Sequence, residues 1–147
     1  MFEDISWVGV LVAGIVSTGS GALWFGPKTF FPVWWRLIGH PPGTPANPGG
    51  DLSMVVVFGS TIAAQFVQAL TMSVVINLAI NAGFTASFGI VDGALLGLVV
   101  GGGIAAASSL SHRLFGGHGF AVWAIEVGND VLNLVLMGAI LGYFQGA

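Results

Sequence analysis

Long apolar runs alternate with short polar stretches along the chain, and four of these runs stand out. They cover about residues 5–25, 52–82, 87–110 and 120–144. A helix needs roughly 20 apolar residues to cross the hydrocarbon core of a bilayer, so each run is long enough to span a membrane. One long and two short connections join the runs, which favours an antiparallel arrangement. We therefore predict an all-α fold, a membrane-embedded bundle of four transmembrane helices in a single domain over residues 1–147.

A shorter segment between the first two runs, KTFFPVWWRLIG, mixes aromatic rings with cations. Indole rings and long cationic side chains both favour the interface between membrane and water. We predict a short interfacial helix here, although an amphipathic loop would fit the same composition. Its anchors at the interface would be Lys28, Trp34, Trp35 and Arg36.

The composition agrees with a membrane protein and excludes several other classes. Charged residues make up 6% of the chain, against roughly 25% in a soluble domain, so membrane lipid is the expected partner of the surface. The net charge of −3 leaves no basic patch for nucleic acid. The absence of cysteine excludes disulfides, thiolate metal sites and cysteine nucleophiles. Glu3 and Asp4 stand where a secretory signal would carry cations, so we expect the first helix to be retained.

The three basic residues of the chain predict its orientation. Lys28 and Arg36 follow the first span, and Arg113 follows the third. Connections that carry Lys and Arg stay on the cytoplasmic side of a membrane. Both basic connections are therefore predicted to face the cytoplasm, and both termini to face the outside.

Small residues recur at every fourth position on three of the predicted spans. Positions four apart share one helix face, so a neighbouring helix can approach to backbone contact. We call these stripes the small-residue ladders. Their members are Gly9, Ala13, Ser17 and Gly21 on the first span, Gly89, Gly93, Gly97 and Gly101 on the third, and Gly138, Gly142 and Gly146 on the fourth. A ladder can serve dimerisation or packing inside one bundle. Because three ladders exceed what one small bundle needs, we expect a homo-oligomer or association with other membrane subunits.

Four polar residues form one stripe on the fourth span, because their spacing of i, i+3, i+4 and i+7 follows the helical repeat. The members of this polar stripe are Glu126, Asn129, Asp130 and Asn133. Asp130 would lie near the middle of the bilayer, where a carboxylate costs at least ~2.5 kcal/mol. It should therefore face the interior and find a partner or keep its proton. Asp92 on the third span is a further candidate. The second span adds the amides of Gln65, Gln68, Asn77 and Asn81.

Two interpretations of the polar stripe stay open. In the first, the stripe lines a polar cavity, a proton path or a small-ligand site, since acids inside membranes often mark function. In the second, the side chains only make hydrogen bonds between helices, with Glu126 reaching back to Arg113 or Arg36 at the cytoplasmic edge.

No other motif points to catalysis or to a cofactor. His40, His112 and His118 lie in or beside loops and form no i, i+4 pair, so we predict no metal site. Three serines lie close to His112 along the chain, but closeness in sequence does not give the geometry of a catalytic triad. The run GLVVGGGIA lacks the Lys and Ser or Thr of a phosphate-binding loop. We predict no catalytic residue, no cofactor and no enzyme activity.

Two stretches carry a resemblance to a known family. They are SWVGVLVAGIVSTGSGALWFGPKTFFPVWWRLIG near the start and AIEVGNDVLNLVLMGAILGYF near the end. Both are similar to a family of small bacterial membrane proteins known only as domain of unknown function 1761. The middle of the chain resembles it by hydropathy alone. The sequence departs from the family pattern at Phe25, where Tyr is usual, and in LFGGHG, which carries less charge than the usual last loop.

The resemblance implies a shared fold with four spans and a location in the bacterial inner membrane, and it assigns no functional residue. Our leading hypothesis is a non-enzymatic membrane protein that acts through helix association, as a homo-oligomer or as an accessory subunit of a membrane complex. The alternative is a small transporter or proton-coupled channel that uses Glu126 and Asp130.

Overall fold

Five helices form the computed structural model, which describes residues 4–45, 47 and 49–146. They are α1 (Trp7–Trp24), α2 (Phe31–Leu37), α3 (Met54–Asn81), α4 (Ile90–Phe115) and α5 (Gly119–Gln145). The described ranges contain no strand. By length and apolar composition, α1, α3, α4 and α5 can each cross a membrane. The prediction of an all-α fold with four spans is confirmed, and a short helix, α2, follows the first span as predicted.

Two of the long helices, α1 and α3, begin after a serine whose hydroxyl accepts a hydrogen bond from one of the first backbone N–H groups. The Ser6 hydroxyl accepts a bond of 3.1 Å from Gly9 N at the start of α1. The Ser53 hydroxyl accepts one of 3.3 Å from Val56 N at the start of α3. Such caps satisfy donors that have no partner within the helix.

The small-residue ladders of α4 and α5 pack against each other. A side chain added at Gly93 would overlap the carbonyl group of Gly138, and one added at Gly97 would overlap that of Leu134. A side chain added at Gly142 would overlap the carbonyl group of Gly89. Since the residue number rises along α4 as it falls along α5, these two helices run in opposite directions. Backbone contact of this kind replaces the apolar driving force that helices lack in lipid.

The small-residue ladder of α1 also faces the inside of the chain. Gly9 lies against Leu141 of α5, while Ala13 and Ser17 are fully buried. Gly21 lies against Asn129. All three ladders are therefore used for packing within one chain, and our argument that they exceed the needs of one bundle was wrong. Oligomerisation itself stays a prediction that must rest on other features.

The two halves of the bundle differ in packing. Large buried apolar side chains fill most of one half, among them Met72, Ile76, Met137 and Leu141. In the other half, almost every residue from 54 to 64 of α3 is exposed. The first part of α3 thus stands away from its neighbours, which leaves space between the helices at this end.

A π-helical segment interrupts α4 between its two α-helical parts, Ile90–Val100 and Ala107–Phe115. It covers Gly101–Ala106 and includes three consecutive glycines. Trp123 of α5 donates its indole N–H to the Ala106 carbonyl and to the Ser109 hydroxyl, both at 3.2 Å. The tryptophan therefore holds this part of α4 against α5. Such π segments occur frequently at functional sites.

Candidate functional site

A cavity of about 650 Å³ lies in the open half of the bundle, between α1, α3, the last part of α4 and α5. Its volume falls in the range of roughly 300–1,000 Å³ that is typical of small-ligand sites. Its polar lining residues are Ser17, Thr18, Thr61, Gln65, Ser109, Arg113, Glu126, Asn129 and Asp130. Two other hollows, of about 290 and 570 Å³, carry no acidic side chain in their walls.

Three members of the polar stripe line this cavity, namely Glu126, Asn129 and Asp130. Their helical spacing brings them to one face of α5, as the sequence predicts. Asn133 lies farther along the same face and is fully buried. Asp92 does not join them. Its carboxylate accepts a hydrogen bond of 3.0 Å from Gly89 N and caps the start of α4, at the other end of the bundle.

Glu126 makes the hydrogen bonds between helices that the second interpretation of the polar stripe predicts. Its Oε2 lies 2.5 Å from Nε of Arg113 on α4. Its Oε1 accepts a bond of 2.9 Å from the indole Nε1 of Trp34 on α2. Arg36, the alternative partner, is exposed. Glu126 therefore links α2 and α4 to α5 at the edge of the cavity.

Asp130 lies one helical turn farther along α5 and has a different environment. Within the described ranges, no donor lies at hydrogen-bond distance from its carboxylate, and no cation pairs with it. Arg113, Glu126 and Asp130 are the charged side chains in the cavity wall. Since Arg113 pairs with Glu126, the Asp130 carboxylate is available to a molecule that enters.

Several polar atoms in and beside the cavity are buried and lack a hydrogen-bond partner in the described part of the chain. They are the Ser17 hydroxyl, Oε1 of Gln65, Oδ1 of Asn129 and both polar atoms of the Asn133 amide. Buried polar atoms in native proteins usually have a partner in the protein, in ordered water or in a ligand. Ser17, Gln65 and Asn129 line the cavity, whereas the other unpartnered atoms of this kind, in Trp35, Asn77 and Thr85, lie outside its wall. The three lining residues make the cavity a place that can accept a polar molecule.

The aromatic anchors predicted for the interface turn inward. Trp34 donates to Glu126, and Trp35 is buried and stacks on the ring of His40 with centroids 3.6 Å apart. The indole N–H of Trp34 thus has a partly buried acceptor, whereas that of Trp35 is buried and has no hydrogen-bond partner in the described part of the chain. Lys28 and Arg36 are exposed, so their side chains can still extend to the interface between membrane and water, as predicted for interfacial anchors.

A second polar cluster, which the sequence analysis did not identify as a unit, lies at the closed end of the bundle. The Ser73 hydroxyl donates to Oε1 of Gln145 over 2.7 Å. Gln145 donates to Oδ1 of Asn77 and to the Ser73 carbonyl. Ser73 and Asn77 are four residues apart on α3, which could have suggested a shared face, but nothing marked Gln145 as their partner. The filled apolar half separates this cluster from the cavity.

Comparison with known proteins gives one family. A family model described as a protein of unknown function (DUF1761) matches residues 8–142. No curated protein and no solved structure matches the chain. Among the described residues, no group of three His, Cys, Asp or Glu could hold a metal ion.

Proposed function

The chain belongs to the protein family DUF1761, whose function is unknown, and from its cavity we propose that it is a small carrier that binds a polar solute within the membrane. The observation that supports this most is the environment of Asp130. A carboxylate inside a membrane-spanning helix is costly, and it persists where it serves a partner, an ion or a proton. Here it lines a cavity and has no partner within the described ranges.

The cavity reaches one end of the bundle, where Pro27, Val57 and Arg113 belong to its wall. The filled apolar half closes the route to the other end. This arrangement corresponds to a carrier that is open to one side. Transfer across the membrane would require the filled half to loosen. The π-helical segment Gly101–Ala106 in α4 supplies a position where such a movement can occur.

We further propose that the open side is the cytoplasmic side of a bacterial inner membrane. Lys28, Arg36 and Arg113 all belong to the connections and helix ends at the open end of the bundle. The positive-inside rule assigns such an end to the cytoplasm and both termini to the outside. The proposed role is binding and transport and not catalysis, because Arg113 and Glu126 pair with each other and leave Asp130 as the unpaired charge of the described wall.

We further propose that Asp130 carries a proton when no solute is bound, since an acid inside a membrane persists where it serves an ion or a proton. Proton flux therefore tests the proposal. Purified protein is reconstituted in liposomes that contain a pH-sensitive dye, and the decay of an imposed pH gradient is recorded. We expect the wild type to dissipate the gradient faster than empty liposomes, and Asp130→Asn to return the rate to that of empty liposomes.

The matched control for this experiment is Asp92→Asn, which changes an acid at the other end of the bundle and keeps a side chain that can cap α4. This variant should conduct like the wild type. A rate for Asp130→Asn equal to that of the wild type would contradict a role for Asp130 in the pathway.

A second candidate function is assembly with copies of itself or with another membrane subunit. It is favoured by the first part of α3, which is exposed on nearly all sides and carries Val55 and Phe58 with more than half of their surface accessible. Because the chain has no native Cys, Val55→Cys can be tested by crosslinking in native membranes. We expect disulfide dimers for Val55→Cys and none for Leu11→Cys, an exposed position on α1. Equal crosslinking of both variants would contradict assembly through α3.

A further inference from the structure

We propose that the solute is an organic cation, an amine with an apolar body, whose ammonium group binds at Asp130. This inference rests on the carrier function proposed above and names its substrate class. Three features of the cavity wall support it, and each comes from a different set of residues.

The first feature is charge. The wall carries two acids and one basic side chain, and the basic side chain is engaged, since Arg113 forms its ion pair with Glu126. In its ionised form, Asp130 therefore gives the cavity a negative charge that no cation in the described wall pairs with. In a medium of low dielectric constant, an unbalanced charge favours an entering group of opposite sign far more strongly than it does in water. An anionic solute would meet repulsion at the same position.

The second feature is the set of unpartnered polar atoms. Oδ1 of Asn129 and Oε1 of Gln65 are acceptors, and the Ser17 hydroxyl can accept as well. Asn129 is 6% exposed and Ser17 is 0% exposed, so the cost of leaving them without a partner is high. An ammonium group presents several N–H donors and no acceptor. It can donate to the Asp130 carboxylate and to a neighbouring acceptor together, which a carboxylate or phosphate group cannot do.

The third feature is the apolar part of the wall. Val57, Phe58 and Ile62 of α3 line the cavity on one side, and Phe25 follows α1 in the same wall. These side chains cannot replace the water molecules around a strongly hydrated inorganic ion, whereas they can pack against a hydrocarbon or aromatic group. A solute with one cationic end and one apolar end therefore matches the wall better than a small metal cation does.

The experiment compares three probes of similar size and different charge. They are benzylamine, which is cationic at neutral pH, benzyl alcohol, which is neutral, and benzoate, which is anionic. The protein is held in nanodiscs of zwitterionic lipid, and binding is measured by equilibrium dialysis against empty nanodiscs, which corrects for partition into lipid. We expect benzylamine to bind the wild type roughly tenfold or more tightly than benzyl alcohol, as one charge-assisted hydrogen bond would give. Benzoate should bind most weakly.

Two variants test whether Asp130 is the residue that causes the preference for benzylamine. Asp130→Asn should bind benzylamine and benzyl alcohol with affinities within about twofold of each other, since the charge-assisted bond is lost. Asp92→Asn should retain the wild-type preference.

Equal binding of benzylamine and benzyl alcohol to the wild type would overturn the cationic substrate class and leave the carrier proposal intact. A wild-type preference that persists in Asp130→Asn would overturn the assignment to Asp130. Absence of binding by all three probes, together with a wild-type proton flux equal to that of empty liposomes, would overturn the carrier proposal itself.

Discussion

Oε2 of Glu126 lies 2.5 Å from Nε of Arg113, and both side chains belong to the wall of the cavity. The Glu126 side chain is 17% exposed and the Arg113 side chain is 42% exposed, so the pair is partly shielded from solvent. One helical turn along α5, Asp130 has no such partner within the described ranges. The two acids of one stripe therefore have different roles. Glu126 joins helices, and Asp130 is left to face the cavity.

Removal of Arg113 tests the structural role of this ion pair. In Arg113→Ala, Glu126 keeps the Trp34 hydrogen bond and loses its cationic partner. We expect a loss of about 1–3 kcal/mol in the free energy of unfolding, because a partly buried carboxylate is left with an unmet bond. Thermal denaturation in mild detergent measures the change. Arg36→Ala is the control and should leave the melting temperature unchanged, since Arg36 is exposed. Equal melting temperatures of Arg113→Ala and wild type would show that the ion pair contributes no stability.

Glycines at the interface of α4 and α5 test whether the ladder packs within the chain. Gly93→Ala places a methyl group against the Gly138 carbonyl, so we expect a destabilisation of about 1–3 kcal/mol from overpacking. In Gly102→Ala the methyl group meets open space, and the unfolding free energy should stay the same or rise by up to about 1 kcal/mol from the better helix propensity of alanine. Reversible denaturation of both variants in detergent gives the comparison. Similar stabilities would contradict the tight backbone contact.

The orientation proposed for the bundle can be tested with single cysteines in the chain, which has none of its own. Thr44→Cys and Gly116→Cys lie in the two basic connections, and Phe84→Cys lies in the connection between α3 and α4. A membrane-impermeant maleimide should label the first two variants only from the cytoplasmic side and the third only from the outside. The reason is that connections with Lys and Arg side chains remain on the cytoplasmic side. Labelling of Thr44→Cys and Gly116→Cys from the outside would reverse the orientation.

Hydropathy and helical spacing were enough to predict the four spans and the shared face of Glu126, Asn129 and Asp130. The length of an apolar run predicts a span, and the spacing of polar residues along a helix predicts a shared face. Both are local properties that can be read from the sequence directly. The predicted first and last residues of the spans were less accurate. The third span was predicted from residue 87, whereas α4 begins at Ile90. This small shift places Asp92 in the first turn of α4, where it caps the helix instead of joining the polar stripe.

The partners of these faces could not be predicted from the sequence. A stripe of small residues lacks any feature that selects one neighbouring helix over another, so the match of Gly93 with Gly138 is a result of the folded arrangement. The bond from Trp34 to Glu126 has the same origin. It joins residues 92 positions apart along the chain and depends on how α2 folds back against α5. The entropic cost of closing a loop rises only slowly with its length, so the connections between the helices allow many such arrangements at similar cost.

The most direct test of the account is the accessibility of the cavity to water. Thr61 lines the cavity, and Ile15 lies exposed on α1 outside the cavity wall, where lipid would cover it. In a reconstituted bilayer, the rate at which a charged, membrane-impermeant thiol reagent modifies Thr61→Cys is compared with the rate for Ile15→Cys. We predict modification of Thr61→Cys from the cytoplasmic side and none of Ile15→Cys. Equal resistance of both positions would mean that the space around Asp130 is closed to polar molecules, which contradicts a binding cavity.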